Sequence, residues 1–128
     1  MSSTAPLAKK LALKPGQRFL LLGAPAGYAK SLGPLPAGVT LATKPGGTFD
    51  AIQVFVSTRA GLEAAVEKAK PALAPGGMLW VTYPKGTSKI PSEVNRDTVR
   101  AYAQTQRLQA VALVAVDDDW SALRLKRA

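Results

Sequence analysis

Between Tyr83 and Lys89 the chain places a phenol, two lysines and two hydroxyls around a single glycine, as Tyr83-Pro84-Lys85-Gly86-Thr87-Ser88-Lys89. Ammonium groups together with backbone N–H donors freed by glycine are the chemistry that holds a phosphate or a carboxylate. Tyr83, Lys85, Thr87, Ser88 and Lys89 are therefore candidate ligand-binding residues, and the ligand they suit is small and anionic. The Gly-x4-Gly-Lys spacing of a P-loop is absent, so this is not a nucleoside-triphosphate cradle of that kind. A polar crossover loop with its lysines in water is the competing reading. Arg96, in Asn95-Arg96-Asp97, offers a further cation, while Asn95 suits a helix N-cap and Asp97 a first helical turn.

Other chemistries are narrowed by what is missing. The chain has no cysteine and no histidine, which removes thiol nucleophiles, imidazole bases, disulfides and the usual zinc ligands together. Catalysis would have to rest on carboxylates, lysines, tyrosines or hydroxyls. Tyr28 and Tyr83 stand near strand ends, but neither has a base partner visible in the sequence, so no catalytic residue is assigned. Whether the chain is an enzyme stays undecided at this point. Asp117-Asp118-Asp119 has the oxygen ligands of a magnesium site. Consecutive residues of an extended chain point to alternate sides, so a hairpin turn is expected there and no metal. Trp120 could stack on a ligand or simply support a sheet.

Charge points toward anions as well. Seventeen Lys and Arg against eight Asp and Glu give a formal charge of +9. Lys9, Lys10, Lys14, Arg18, Lys30 and Lys44 all precede the first acidic residue, Asp50. Such a balance favours phosphorylated small molecules and nucleic acid as partners. The basic residues are mostly scattered singly, so a solvated basic surface explains them too. No apolar run approaches the ~20 residues of a membrane span, and the basic start lacks the apolar core of a secretory signal. A cytoplasmic protein without a membrane partner is the expectation. A length of 128 residues with 47% hydrophobic content is enough for one domain, residues 1–128, with its own core.

The elements that would position these residues alternate. Thr4-Ala5-Pro6 reads as the start of a short helix running to about Leu11. Arg18 to Leu22 reads as a strand buried on both faces, closed by Gly23-Ala24-Pro25-Ala26-Gly27-Tyr28. Gly33, Pro34, Pro36 and Gly38 leave room for only a turn or two of helix before a short strand, Val39 to Ala42. Lys44-Pro45-Gly46-Gly47 punctuates the chain again, and Phe49 to Val56 is a third strand. Leu62, Ala65, Val66, Ala69 and Leu73 recur at helical spacing, capped by Ser57 or Thr58, with Pro71 kinking or ending the helix. Pro75-Gly76-Gly77 reads as the turn from that helix into a fourth strand, Met78 to Tyr83. A loop from Pro84 to Pro91, a helix from about Asn95 to Arg107, and strands Ala110 to Val116 and Ser121 to Leu125 complete the chain. The pattern is an α/β three-layer sandwich with a C-terminal antiparallel hairpin. Ligands in such sheets sit beyond the carboxyl ends of the strands, an edge that gathers Gly23 to Tyr28, Ser57 to Arg59 and Tyr83 to Lys89.

A strand with a glycine-rich turn, Phe49-Asp50 opening another strand, and Leu73-Ala74-Pro75-Gly76-Gly77 before a third resemble class I S-adenosylmethionine-dependent methyltransferases. The resemblance covers about residues 15–125. It implies a Rossmann-like, mostly parallel sheet of order 2-1-3-4-6-5, with S-adenosylmethionine as cofactor and Gly23, Gly27 and Tyr28 at its site. The whole chain also resembles a family of small bacterial proteins of unknown function with that fold, through Pro15-Gly16-Gln17-Arg18, Tyr83-Pro84-Lys85-Gly86, Asn95-Arg96-Asp97 and Trp120-Ser121-Ala122-Leu123-Arg124. Two departures from a working methyltransferase stand out. Leu22 occupies the place of the acid in the first loop, with Pro25 between the glycines. Thr43 and Lys44 occupy the region where a carboxylate would hold the ribose hydroxyls. The resulting expectation is a methyltransferase-like domain that binds a small anionic ligand or partner without standard methyl transfer. A methyltransferase binding its cofactor through backbone contacts and a basic nucleic-acid-associated protein are the alternatives.

Overall fold

The computed structural model describes residues 7–32, 35–44 and 46–127. The helix start expected at Thr4-Ala5-Pro6 and the breakers Gly33, Pro34 and Pro45 lie outside them. In chain order the elements are α1 (Leu7–Lys10), β1 (Arg18–Leu22), α2 (Tyr28–Ser31), β2 (Thr40–Ala42), β3 (Phe49–Phe55), α3 (Arg59–Ala69), β4 (Leu73–Pro84), α4 (Arg96–Thr105), β5 (Leu108–Ala115) and β6 (Trp120–Arg127). The six strands form one sheet in the order β2-β1-β3-β4-β6-β5. β2, β1, β3 and β4 run parallel, whereas β6 is antiparallel to both of its neighbours. The expected order and the closing hairpin are both present.

Each face of the sheet carries its own core. On one face Leu62, Val66 and Ala69 of α3 and Val99 and Ala103 of α4 pack on Ile52, Val54, Leu79, Val81, Leu123 and Leu125. On the other, Leu7, Leu11, Tyr28 and Leu32 cover Phe19, Leu21, Ala51, Trp80 and Ala122. The period-2 alternation of β-strand side chains divides β3 and β4 between the two cores, which is why both strands carry apolar residues on both faces. Among the described residues no helix is long and apolar enough to cross a membrane.

Helix starts follow their caps. Thr58 Oγ1 accepts the N–H of Gly61 at 2.9 Å to begin α3, and Asn95 Oδ1 accepts that of Thr98 at 2.9 Å to begin α4. α3 ends at Ala69, and Pro71 falls in a 3-10 turn, Lys70–Ala72. Proline contributes no N–H to an α-helical ladder, so the helix stops before it.

The sheet departs from the sequence reading at Pro75-Gly76-Gly77. This segment is not the turn between helix and strand. β4 begins at Leu73, which pairs with Phe49, and the next register pair is Ala51 with Met78. Over that interval β3 advances two residues and β4 five. Ala74 to Gly77 thus form an excursion within the strand. Gly76 takes φ +76°, and a Cβ on Gly77 would stand 2.8 Å from the Ala74 carbonyl oxygen and 3.1 Å from that of Asp50. The glycines are needed, but to bulge a strand rather than to leave a helix.

Candidate functional site

The parallel strands direct their carboxyl ends to one edge, where a cavity of ≈370 Å³ opens between β4, β6 and α4. Tyr83, Lys85, Gly86, Asn95, Arg96, Asp97, Leu113 and Ser121 line it. The volume lies in the range of small-molecule sites, about 300–1,000 Å³. A larger hollow, ≈440 Å³, lies near the C-terminal end of α4 beside the start of β5, lined by Arg100, Gln104 and Arg107 among others. It is away from the strand ends where this architecture places ligands, so the smaller cavity is the candidate site.

Of the residues singled out in the sequence, Tyr83, Lys85 and Arg96 meet in this cavity, and Thr87, Ser88 and Lys89 do not line it. Ser88 has a structural task. Its Oγ donates to Asp119 Oδ1 at 2.9 Å and accepts the Ile90 N–H at 3.0 Å. The Lys85 N–H donates to the Asp119 carbonyl at 2.8 Å, and the Ser88 N–H closes a turn on the Lys85 carbonyl at 2.9 Å. The loop after β4 is therefore fastened to the β5–β6 turn. That turn is held in its own right, because Asp117 Oδ1 accepts the N–H groups of Asp119 and Trp120 at 2.8 and 2.9 Å. Asp117 and Asp119 thus serve the hairpin.

Tyr83 is buried, and burial raises its phenol above the usual tyrosine range; the nearby Arg96 charge works against that shift and Asp97 adds to it. Arg96 Nε lies 3.7 Å from Asp97 Oδ1, with both side chains largely exposed. An ion pair so open to water holds its arginine weakly. Lys85 is half-buried. Ser121 enters the cavity because it pairs with Tyr83 across β4 and β6, a relation that only the hairpin register reveals. Leu113, on β5, gives the cavity an apolar wall and is among the few large hydrophobic residues exposed to solvent.

At the end of β1 the glycine turn is formed as expected, with Gly23 at φ +71° and Gly27 at φ +82°. A Cβ on Gly23 would meet the Phe55 carbonyl oxygen at 3.3 Å, so the glycine lets β1 and β3 close together there. Gly27 precedes α2, which is a single turn. Tyr28 points into the core: its hydroxyl donates to Gln53 Oε1 at 2.9 Å, and Gln53 Nε2 donates to Thr82 Oγ1 at 2.9 Å. Desolvation outweighs that hydrogen bond and pushes the Tyr28 phenol up to about 12. The buried chain Tyr28–Gln53–Thr82 escaped the sequence reading, although a glutamine among the apolar residues Ala51, Ile52, Val54 and Phe55 was its signal. Phe55 stands edge-on between Tyr28 and Trp120, at 4.6 and 5.1 Å between ring centroids. Trp120 supports the sheet from that position.

Beside Gly23 is a small cavity of ≈210 Å³, lined by Leu22, Gly23, Val54, Phe55, Ala64, Ala65 and Lys68. Its one charged group is a lysine. The first carboxylate of the chain, Asp50, accepts the Arg18 N–H at 2.9 Å at the opposite edge of the sheet. No carboxylate among those lining residues could accept a pair of ribose hydroxyls.

No protein-family model and no curated protein matches the chain. Solved structures do match in fold. The structure of DhpI in complex with SAH superposes with a TM-score of 0.66 at 13% identity, over 95% of this chain and 82% of that one. A ribosomal protein L11 methylase from Lactobacillus delbrueckii subsp. bulgaricus gives 0.65 at 12% identity, over 94% and 74%. The N-methyltransferase NodS from Bradyrhizobium japonicum WM9 gives 0.62 at 17% identity, over 94% and 92%. The sheet order, the antiparallel β6 and these superpositions together give the chain the Rossmann-like fold of class I S-adenosylmethionine-dependent methyltransferases.

Proposed function

We propose that this methyltransferase-fold protein binds a small anionic ligand, a phosphate or carboxylate compound, in the cavity between β4, β6 and α4. The observation that carries the reading is the convergence of Lys85 and Arg96 on one ligand-sized cavity at the carboxyl edge of the sheet. Two cations there, with the Gly86 backbone and the Ser121 hydroxyl, match a ligand carrying two or more anionic oxygens. The Leu113 and Tyr83 walls leave space for an apolar or aromatic body. Standard methyl transfer is not part of the reading. A cofactor held in the usual way needs a carboxylate for its ribose, and Thr43 and Lys44 stand where that carboxylate would be.

The test is calorimetric titration with inorganic pyrophosphate and adenosine monophosphate, on the parent protein and on Lys85→Ala/Arg96→Ala. Both substituted side chains are away from the core, so the circular dichroism spectrum should not change. Loss of two charge-assisted contacts should weaken binding by about tenfold or more. Unchanged affinity would remove the cavity from consideration.

One observation favours a second reading. Gly23 and Gly27 place two left-handed glycines at the end of β1, in a fold shared with a protein solved in complex with SAH. Backbone contacts there could hold an adenosyl cofactor without the acid. Saturable binding of S-adenosylhomocysteine that survives Lys85→Ala/Arg96→Ala would support it.

A further inference from the structure

The excursion of β4 has a second consequence, at the edge of the sheet opposite the candidate site. A cavity of ≈240 Å³ lies there, bounded by the loop after α1, the start of β3, the β4 excursion, the middle of β5 and the later part of β6. Its charged lining residues are Lys14, Arg124, Lys126 and Asp50, and the backbone of Gly76 and Gly77 forms part of its wall. We propose that this cavity is an anion site for a phosphate group, separate from the one at the carboxyl edge.

Three features support the assignment. The first is charge: three cations face one carboxylate. That carboxylate is already engaged, since Asp50 Oδ2 accepts the Arg18 N–H at 2.9 Å. Among the described residues the one ion pair within 4.0 Å is Arg96–Asp97, so Lys14, Arg124 and Lys126 carry no paired acid. The second is preorganisation. Arg124 is half-buried and sits over the Trp80 ring at 5.9 Å, and the Trp80 Nε1–H donates to the Leu11 carbonyl at 3.0 Å. The indole is thus fixed by that hydrogen bond and by its burial in the core. A half-buried guanidinium held near a fixed ring loses less freedom when it binds an oxyanion. The third is the backbone. A Cβ on Gly76 would meet nothing within 4 Å, so space lies open beside the residue whose φ of +76° shapes the wall. Glycine backbone next to a half-buried arginine and two exposed lysines suits tetrahedral oxyanions, which accept from several directions. Gln17 is not free to compete, because its Oε1 accepts the Lys14 N–H at 2.9 Å.

The shared chemistry is a phosphoester, supplied by a small free phosphate compound or by a nucleic-acid backbone. Both are tested on full-length protein carrying Lys85→Ala/Arg96→Ala, so that the carboxyl-edge cavity does not contribute. Lys14→Ala/Lys126→Ala is compared with that background, using inorganic pyrophosphate in one arm and a single-stranded oligoribonucleotide of about ten nucleotides in the other. Both lysines are exposed, and a matching thermal transition verifies folding. Lys126→Glu alone serves as the second variant. The expected result is a loss of about tenfold or more in affinity for at least one probe. If the source is nucleic acid, the slope of log affinity against log salt also falls by about 1.4, since each contact to a single strand contributes about 0.7. If it is a small compound, pyrophosphate alone responds. Affinity for both probes that is unchanged by Lys14→Ala/Lys126→Ala and by Lys126→Glu, or no binding of either probe to the background protein, overturns the proposal.

Discussion

At the residue scale, the polar side chains divide into those held by the fold and those left to face a ligand. Tyr28, Gln53 and Thr82 belong to the first group, since each is buried and each hydrogen bond is spoken for. Tyr28→Phe would leave Gln53 Oε1 without its donor inside the core, at a cost of about 1–3 kcal/mol in chemical denaturation. The same substitution has a pH signature. The folded-state phenol is raised to about 12 from 10.0, so the unfolded chain releases this proton first. Its contribution is fully present below pH 10 and is lost as pH rises toward 12. The parent protein should therefore lose stability over that window more steeply than Tyr28→Phe; parallel curves would show that the phenol ionises as freely in the fold as out of it. Lys85 and Arg96 belong to the second group: Lys85 is half-buried, and Arg96 makes an open contact with Asp97. The residue types of the loop were enough to raise it as a candidate anion site, and the structure brings two of its members, Tyr83 and Lys85, to a cavity. Which of its members face the cavity was not legible, because Ser88 is drawn away by Asp119, far along the chain.

Elements were read well where local chemistry decides them and poorly where partners do. The caps Thr58 and Asn95 act as their residue types require. Asn95→Ala should cost about 1 kcal/mol and fray α4, measurable as a lowered unfolding midpoint. An unchanged midpoint would mean that tertiary packing alone fixes the start of α4. α2 is one turn because the breakers around it leave no length for more. The β4 excursion shows the other case. Pro75-Gly76-Gly77 has the composition of a turn, and nothing in the sequence tells whether the strand begins after it or before it. The answer is the pairing of Leu73 with Phe49, a contact between separate strands. Gly77→Ala tests the geometry directly, since the added Cβ would press on the backbone oxygens of Ala74 and Asp50, which cannot swing aside. We expect a loss of about 1–3 kcal/mol. Gly46→Ala, with open space around the new Cβ, is the control and should change stability little.

For the whole molecule, one sheet separates two edges of different character. At the carboxyl edge a cavity gathers Lys85 and Arg96 with Tyr83, Leu113 and Ser121. At the other edge, Lys14, Arg124 and Lys126 surround a glycine-walled cavity. The sheet order was accessible through the resemblance carried by the glycine turns and strand openings. The pairing of Tyr83 with Ser121 depends on the hairpin register, and composition does not encode it. The fold is shared with methyltransferases at sequence identities of 12–17% in the structures compared above, so chemistry has to be argued from the site itself. The most direct test is an amide-resolved NMR titration of ¹⁵N-labelled protein, first with adenosine monophosphate and then with S-adenosylhomocysteine. The phosphate ligand should move the amide signals of Lys85, Gly86 and Arg96 saturably, while the adenosyl compound leaves Gly23 to Gly27 unmoved. Silence at Lys85 to Arg96, with saturable shifts at Gly23 to Gly27 on adding S-adenosylhomocysteine, would contradict this reading and return the protein to cofactor chemistry.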